Sequence, residues 1–264
     1  MTARPAFGGI EAGGTKWVCG LTDERGDLVA TDVIPTTTPD ETLGRAVRFF
    51  AGHETIRAIG VGSFGPLDLD PASPTHGSIT TTPKPDWSDT DLLSPLRQAV
   101  GVPIALDTDV NAAALGEWRH VAGAGLHSLC YITVGTGIGA GAVVGGRLLH
   151  GSGHLEFGHL RIPHDTARDP FPGSCPHHGD CLEGLASGEA LRHRWGRPAE
   201  DLDDPAVWHL EAEYLAHAIA NAAYALAPQR VIVGGGVAQH PALLPRLRER
   251  LARDALRQQA VVTW

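Results

Sequence analysis

The sequence predicts an α/β protein made of two similar lobes, each holding a mixed β-sheet flanked by helices. Two observations carry this. The stretch "FGGIEAGGTKWVCGLTDERGDLVATDVI" reads as strand, glycine turn, strand, polar turn, strand, and the same order returns in "SLCYITVGTGIGAGAVVGGRLLHG". A glycine-turned meander that occurs twice suggests a repeated unit. Elsewhere, apolar strands alternate with helical patterns, which is the mark of β-α units in a partly parallel sheet. A chain of 264 residues can bury a substantial core, as one large domain or as two packed lobes.

The elements follow in order. Asp23 to Gly26 supply the polar turn of the first meander, with the turn-forming residues such a reversal needs. A helical pattern covers about 40–52, and "IRAIGVGS" is a buried strand. Residues 65–90 are rich in Pro, Thr, Asp and Gly and predict a long functional loop. "VPIALDTD" is an apolar strand, followed at once by the alanine-rich helical stretch "DVNAAALGEWRHV". In the second meander Gly145-Gly146 forms the tight turn. Helical patterns then cover 182–195, 206–227 and 241–257, with the strand "RVIVGGGV" before the last. The division between lobes is expected at 110/111, giving lobes 1–110 and 111–264.

Composition narrows the function classes. Hydrophobic residues at 42% and charged residues at 19% match a soluble globular protein. The formal net charge of -9 argues against nucleic acid as a partner, because phosphate contact needs a basic stripe. No apolar run approaches the roughly 18 residues that span a bilayer, and "MTARPAFGGIEAGG" has no apolar core like that of a secretion signal. No membrane partner and a cytoplasmic location are expected. Cys19 and Cys130 lie in apolar runs and read as small buried hydrophobes. Cys175 and Cys181 stand in the polar stretch "GSCPHHGDCLEG". In a reducing compartment such a cluster more often binds metal than forms a disulfide.

Three glycine-rich turns follow apolar strands: "EAGGTK" (11–16), "GTGIG" (135–139) and "GGGV" (234–237). Glycine lets successive backbone N–H groups approach phosphate oxygens closely. The chain has no GxxxxGK[ST], and "GTGIGAGAV" leads into a strand rather than a helix, so neither common nucleotide fingerprint applies. Two hairpin turns, one from each lobe, are expected to close on a polyphosphate. Asp107 and Asp109 end a strand ahead of a helix, where either could serve as a cap. Cys175-x₂-His178-x₂-Cys181 offers three zinc-type ligands on one loop, with His177 as a rival of less favourable spacing, and a structural site needs a fourth. His53, His120, His127 and His217 show no partner pattern and read as surface or satisfied core residues.

"GIEAGGTKWVCG", "GVGSFGP", "ITTTPKPDW", "DTDVNAAALGE", "TVGTGIGAG", "HLEFGH" and "CPHHGDCLEGLASG", taken together and in order, resemble the ROK family of sugar kinases, most closely its fructokinase branch. The resemblance runs from about residue 8 to 237. It implies the actin-like ATPase (ribonuclease H-like) fold, two lobes with a cleft between them, and a C-terminus shorter than the family's, which continues into a glycine-containing segment and a final helix.

The resemblance also assigns roles. Gly13, Gly14, Thr15 and Lys16 match the first phosphate turn, Thr136 and Gly137 the second, and Gly235 and Gly236 the turn against adenosine. Glu11 takes the position that holds Mg²⁺ through water, a hard-cation site of oxygen ligands. Asp109 matches the catalytic base, the group that phosphoryl transfer to a hydroxyl requires beside charge neutralisation. Gly65, Pro66, Asn111, Glu156 and His159 match positions near the sugar. The stretch Thr80–Trp87 resembles the branch's substrate loop, with Lys84 and Trp87 lining or covering the site; a simple loop anchor is the other reading of Trp87. His159 matches the fourth zinc ligand beside Cys175, His178 and Cys181. With four protein ligands the ion has no open position, so its role is structural. The implied partners are ATP and a hexose, with a homodimer as the assembly. Fructose 6-phosphorylation is the leading activity. Another hexose such as glucose or mannose, or a sugar-binding regulator without turnover, are the alternatives. The few residues before the first strand leave no room for the helix-turn-helix of such regulators, which favours an enzyme.

Overall fold

The structure, a computed structural model, describes residues 4–121, 125–253 and 261–263. The chain divides into two compact units. One comprises residues up to Ala112 together with Gly151–His154, and the other comprises Ala113–His150 and the chain from Leu155 onward. The division thus falls two residues later than the expected 110/111. The short segment 151–154 also joins the first unit, a return that no composition shift in the sequence marks.

The first unit is built on a five-stranded sheet in the order β3-β2-β1-β4-β5. Strands β1 (Phe7–Ala12), β2 (Lys16–Thr22) and β3 (Leu28–Pro35) form the antiparallel meander. Strands β4 (Ala58–Ser63) and β5 (Ile104–Thr108) then add in parallel on the other side of β1. The register aligns Ala12 with Ser63 and Ser63 with Thr108. Three parallel strands therefore end level with one another.

Helix α1 (Pro39–Ala51) has Pro at its start and Asp40 and Glu41 in its first turn, suiting the fixed φ of proline and the helix dipole. It buries Leu43, Ala46 and Phe50, a 3–4 spacing that puts one face on the sheet. Helix α2 (Leu93–Val100) packs beside it and ends at Gly101 in the left-handed conformation. The core gathers Trp17, Ile34, Phe50, Ile59, Ile79 and Trp87.

The second unit repeats the plan. Its sheet has the order β10-β9-β6-β7-β8. Strands β6 (Leu129–Val134), β7 (Ile138–Val144) and β8 (Arg147–Leu148) form the meander. Strand β9 (Arg230–Gly234) pairs in parallel with β6, and β10 (Val261–Thr263) with β9.

Helix α3 (Asp109–Gly116) leaves the first unit and continues as a π-helical turn over Glu117–Val121. The pattern expected as one helix over 182–195 is two, α4 (Leu182–Ala186) and α5 (Gly188–Trp195), broken at Ser187. Ser187 is extended, and its hydroxyl accepts from Ala190 N, so it caps a new helix rather than continuing the old one. Helix α6 (Pro205–Leu226) is buried on most sides, which its alanine-rich sequence permits. Helix α7 (Leu243–Arg253) covers the described part of the helix expected over 241–257, whose last residues lie outside the described ones. The side chain of His120 also lies outside them. Cys19 and Cys130 are buried, as expected of small hydrophobes. Among the described residues no helix is long and apolar enough to cross a membrane.

Candidate active site and metal cluster

Ligands of parallel sheets gather beyond the carboxyl ends of the strands, and there the first unit presents its candidate residues. Past Ala12 comes the turn Gly13–Thr15. It is closed by Gly13 N donating to Lys16 O at 3.0 Å and strapped by Thr36, whose N donates to Thr15 O and whose Oγ1 donates to Gly13 O at 2.7 Å. A Cβ on Gly13 would stand 2.8 Å from Lys16 O, whereas one on Gly14 meets nothing within 4 Å. Gly13 therefore makes the turn tight, and Gly14 leaves its face open. Glu11 and Lys16 are exposed on either side.

Past Ser63 come Phe64, Gly65 and Pro66, joined by a cis Gly65–Pro66 peptide. Thr80 fastens the long loop to this wall, its N donating to Pro66 O at 2.8 Å. Lys84 is half-buried in that loop. Of the two readings of Trp87, the loop anchor holds: its side chain is 0% exposed, and Nε1 donates to Thr37 O at 2.8 Å.

Past Thr108 comes Asp109, first residue of α3. Thr108, not either aspartate, caps the helix: its Oγ1 accepts from Asn111 N at 3.2 Å. Asp107 Oδ1 accepts from Thr108 N and from Asn111 Nδ2, both at 2.8 Å. This fixes the buried Asn111 by one amide hydrogen. Asp109 Oδ1 accepts from Val110 N at 2.8 Å. Burial is the main reason the Asp109 carboxyl titrates above the usual aspartate value. The Val110 N–H opposes the rise, the negative charge of Glu11 adds to it, and His154 counters it in part.

Two residues of this site lie inside motifs quoted above, His154 in "HLEFGH" and Gly62 in "GVGSFGP", without a role of their own having been read for them. His154 returns from far along the chain to lie near Gly65, with Nε2 3.5 Å from where a Cβ on Gly65 would sit. Gly62 lies under α3, where a Cβ would stand 2.6 Å from Ala112 Cβ and 3.3 Å from Asp109 Cα.

In the second unit Gly135, Thr136 and Gly137 turn between β6 and β7, closed by Gly135 N donating to Gly137 O at 2.9 Å. Glu183 braces the turn, its Oε2 accepting from Ile138 N at 2.9 Å. The first N–H groups of α5 complete the brace, Gly188 N donating to Gly135 O and Glu189 N to Thr136 O. The turn Gly235–Gly236 follows β9, directly beside the end of β6. Gly235 has φ +92°, and a Cβ there would press 2.5 Å from Val134 O. Only glycine suits such a position. Gly236 is exposed.

His159 ends a short 3₁₀ turn, Phe157–His159. It meets Cys175, His178 and Cys181, whose ligand atoms together with its own lie within 4.8 Å of one another. Cys175 Sγ is 3.8 Å from both His159 Nδ1 and His178 Nδ1, and Cys181 Sγ is 3.7 Å from His159 Nδ1. Tetrahedral zinc, with bonds of about 2.0–2.3 Å, sets its ligands about 3.5 Å apart, so the donor set and the spacing both fit. His177 stands outside the group, its ring 6.1 Å from those of His159 and His178. Gly184 packs the loop, because any Cβ there would lie 1.9 Å from Gly179 O. Glu156, exposed, has Oε2 3.9 Å from His159 Nε2.

The ROK family model matches residues 7–263, and the chain belongs to this family. Its fold is the actin-like ATPase fold of ROK sugar kinases, with mixed sheets flanked by helices. Two relatives are fructokinases. That of Zymomonas mobilis is 43% identical over 94% of this chain and 85% of its own, and that of Lactococcus lactis subsp. cremoris is 43% identical over 92% and 83%. A ROK family glucokinase from Streptomyces griseus, solved with glucose and AMPPNP, superposes with a TM-score of 0.77 at 27% identity, over 97% of this chain and 93% of that one.

Proposed function

We propose that this protein is an ATP-dependent fructokinase, transferring the γ-phosphoryl group of ATP to the 6-hydroxyl of fructose. Support comes from the fructokinase relatives at 43% identity over most of both chains. The observation that carries the chemistry is the level ending of β1, β4 and β5, which sets a glycine turn, the Gly65–Pro66 wall and Asp109 just beyond the carboxyl ends of three adjacent strands.

In the transfer, the sugar oxygen bonds to the γ-phosphorus, the bond from phosphorus to the ADP oxygen breaks, and the hydroxyl proton passes to a carboxylate oxygen of Asp109. A raised carboxyl pKa strengthens that group as a base. The amides of Gly13–Lys16 and of Thr136–Gly137 bind phosphate oxygens, Lys16 adds positive charge, and Gly235–Gly236 lies against the adenosine. Gly65, Pro66, Lys84, Asn111, Glu156 and His159 shape and hydrogen-bond the sugar. Glu11 would hold Mg²⁺ through water, and its exposed carboxylate beside the first turn suits a hard cation that neutralises phosphate charge. Zinc, held by His159, Cys175, His178 and Cys181, would fix the loop and orient His159. A homodimer acting in the cytoplasm completes the proposal.

Initial rates with fructose, glucose and mannose at saturating Mg-ATP test it. The expected result is the highest kcat/KM for fructose. A higher value for glucose or mannose would reassign the substrate, and sugar binding without ADP release would leave a regulator.

A further inference from the structure

We infer that Trp87 is a positioning residue that couples the sugar loop to the first phosphate turn through the strap Thr36–Thr37. This rests on the assignment above of Thr80–Trp87 to the sugar and Gly13–Lys16 to the phosphates.

The strap is the three-threonine link between β3 and α1, and its bonds run in three directions. Thr36 binds the carbonyls of Gly13 and Thr15. A turn that cradles an anion needs its carbonyl oxygens tied elsewhere, because they repel the charge that its amides attract. Thr37 is tied to α1, with its N donating to Thr42 Oγ1 at 3.0 Å and its Oγ1 donating to Glu41 Oε2 at 2.7 Å. The carbonyl of Thr37 faces the third way and accepts the indole N–H of Trp87.

The Trp87 ring repeats these connections by packing. It lies against Trp17, ring centroids 5.7 Å apart, and against Phe64 at 5.5 Å. Trp17 directly follows Lys16, and Phe64 directly precedes Gly65. Phe64 N in turn donates to Ala12 O at 2.8 Å, at the strand end that leads into the phosphate turn. One buried side chain thus touches the residue next to the first phosphate turn and the residue next to the Gly65–Pro66 wall. The loop is also held by its own backbone bonds, such as Thr80 N to Pro66 O and Ile79 N to Thr90 O, and Trp87 adds the tie that reaches the strap. Here the anchor is shared, so ordering the loop around a sugar and ordering the turn around a triphosphate bias the same strap. Coupling of this kind is reciprocal.

The test is equilibrium binding of fructose and, with Mg²⁺, of a non-hydrolysable ATP analogue. Trp87→Phe keeps a buried aromatic ring but removes the donor to Thr37 together with part of the ring packing. Thr36→Val keeps the side-chain shape and removes only the donor to Gly13. Each variant is expected to weaken both ligands by roughly three- to tenfold, the loss typical of one hydrogen bond. The double variant is expected to weaken each ligand by less than the product of the single effects. If Trp87→Phe weakens fructose alone, or if the effects multiply, loop and turn are independent and the inference is wrong. Should Trp87→Phe fail to fold, Thr36→Val decides by itself: an unchanged fructose affinity overturns the coupling. Independent affinities in an enzyme that phosphorylates fructose reject the coupling only. A parent chain with no ATP-dependent phosphorylation of any sugar removes the site assignment and the inference with it.

Discussion

Gly62 is the position where a single methyl group should separate folding from catalysis. A Cβ at Gly62 would stand 2.6 Å from Ala112 Cβ, while ordinary contact begins at 3.4 Å, a shortfall of about 0.8 Å. Ala112 Cβ and Asp109 Cα, the two atoms closer than 3.4 Å, belong to α3, so the relief available is for the start of that helix to lift from β4. Overpacking of this size lowers stability by about 1–3 kcal/mol. It also moves Asp109 by a large part of an ångström, and misplacement near 1 Å can reduce a rate by about 10²-fold. Gly62→Ala is therefore expected to lower the urea midpoint modestly and kcat by one to two orders of magnitude, with fructose affinity much less affected.

The assay has an internal control. Ala112→Gly removes the clashing atom, so the double variant Gly62→Ala/Ala112→Gly should recover much of kcat. Its stability should stay low, because glycine inside a helix lowers it by roughly 0.5–1 kcal/mol. If Gly62→Ala retains the parent kcat, or if the double variant turns over no faster than Gly62→Ala, the geometric reasoning about Asp109 fails.

Two further outcomes follow from the same residues and from the metal cluster. Asp109→Asn should lower kcat by about 10²- to 10⁴-fold while raising the thermal midpoint at neutral pH. The folded carboxyl titrates above its unfolded value, chiefly through burial. Its contribution to stability is therefore whole below the ordinary aspartate pKa and lost as pH rises through the folded value, a loss the amide escapes while it can still accept from Val110 N. A midpoint below the parent's would contradict this. In parallel, the acid limb of kcat against pH should lie above the ordinary aspartate value and move down in Glu11→Gln. Purified protein should contain about one zinc per chain by atomic absorption, and Cys181→Ser should lose that metal and melt earlier. A full zinc content in the variant would exclude Cys181 as a ligand.

Strands and glycine turns were legible because they depend on local sequence. The apolar runs of β2 and β6, and the glycine turns beside them, state the hairpins outright. Cys175, His178 and Cys181 were legible as a group because their spacing fits one loop, and His159 entered only by resemblance, sixteen residues before Cys175. Helix α2 escaped notice because its eight residues, with leucines at 93 and 96 and a proline between them, sit at the end of a loop-like stretch. The break at Ser187 has a local signal in the pair Ser187–Gly188, a turn-forming dipeptide, but the apolar residues on both sides read as one helical pattern. Gly62, His154 and Glu183 matter through what lies across from them in space, and a chain read in order does not reveal a neighbour ninety residues away. Asp107 and Asp109 show the same limit at short range, since either could have capped α3 and the structure gives that place to Thr108 between them.

The break at Ser187 has a consequence for how the second glycine turn tolerates change. Its carbonyls are held by main-chain amides of residues 188 and 189, so the hold is indifferent to the side chain at 189. At 188 the opposite applies, because a Cβ would come 2.8 Å from Gly135 O and wedge the helix off the turn it secures. Neighbouring positions in one first turn therefore differ sharply in freedom: Glu189 can be exchanged for almost any residue, and Gly188 for none.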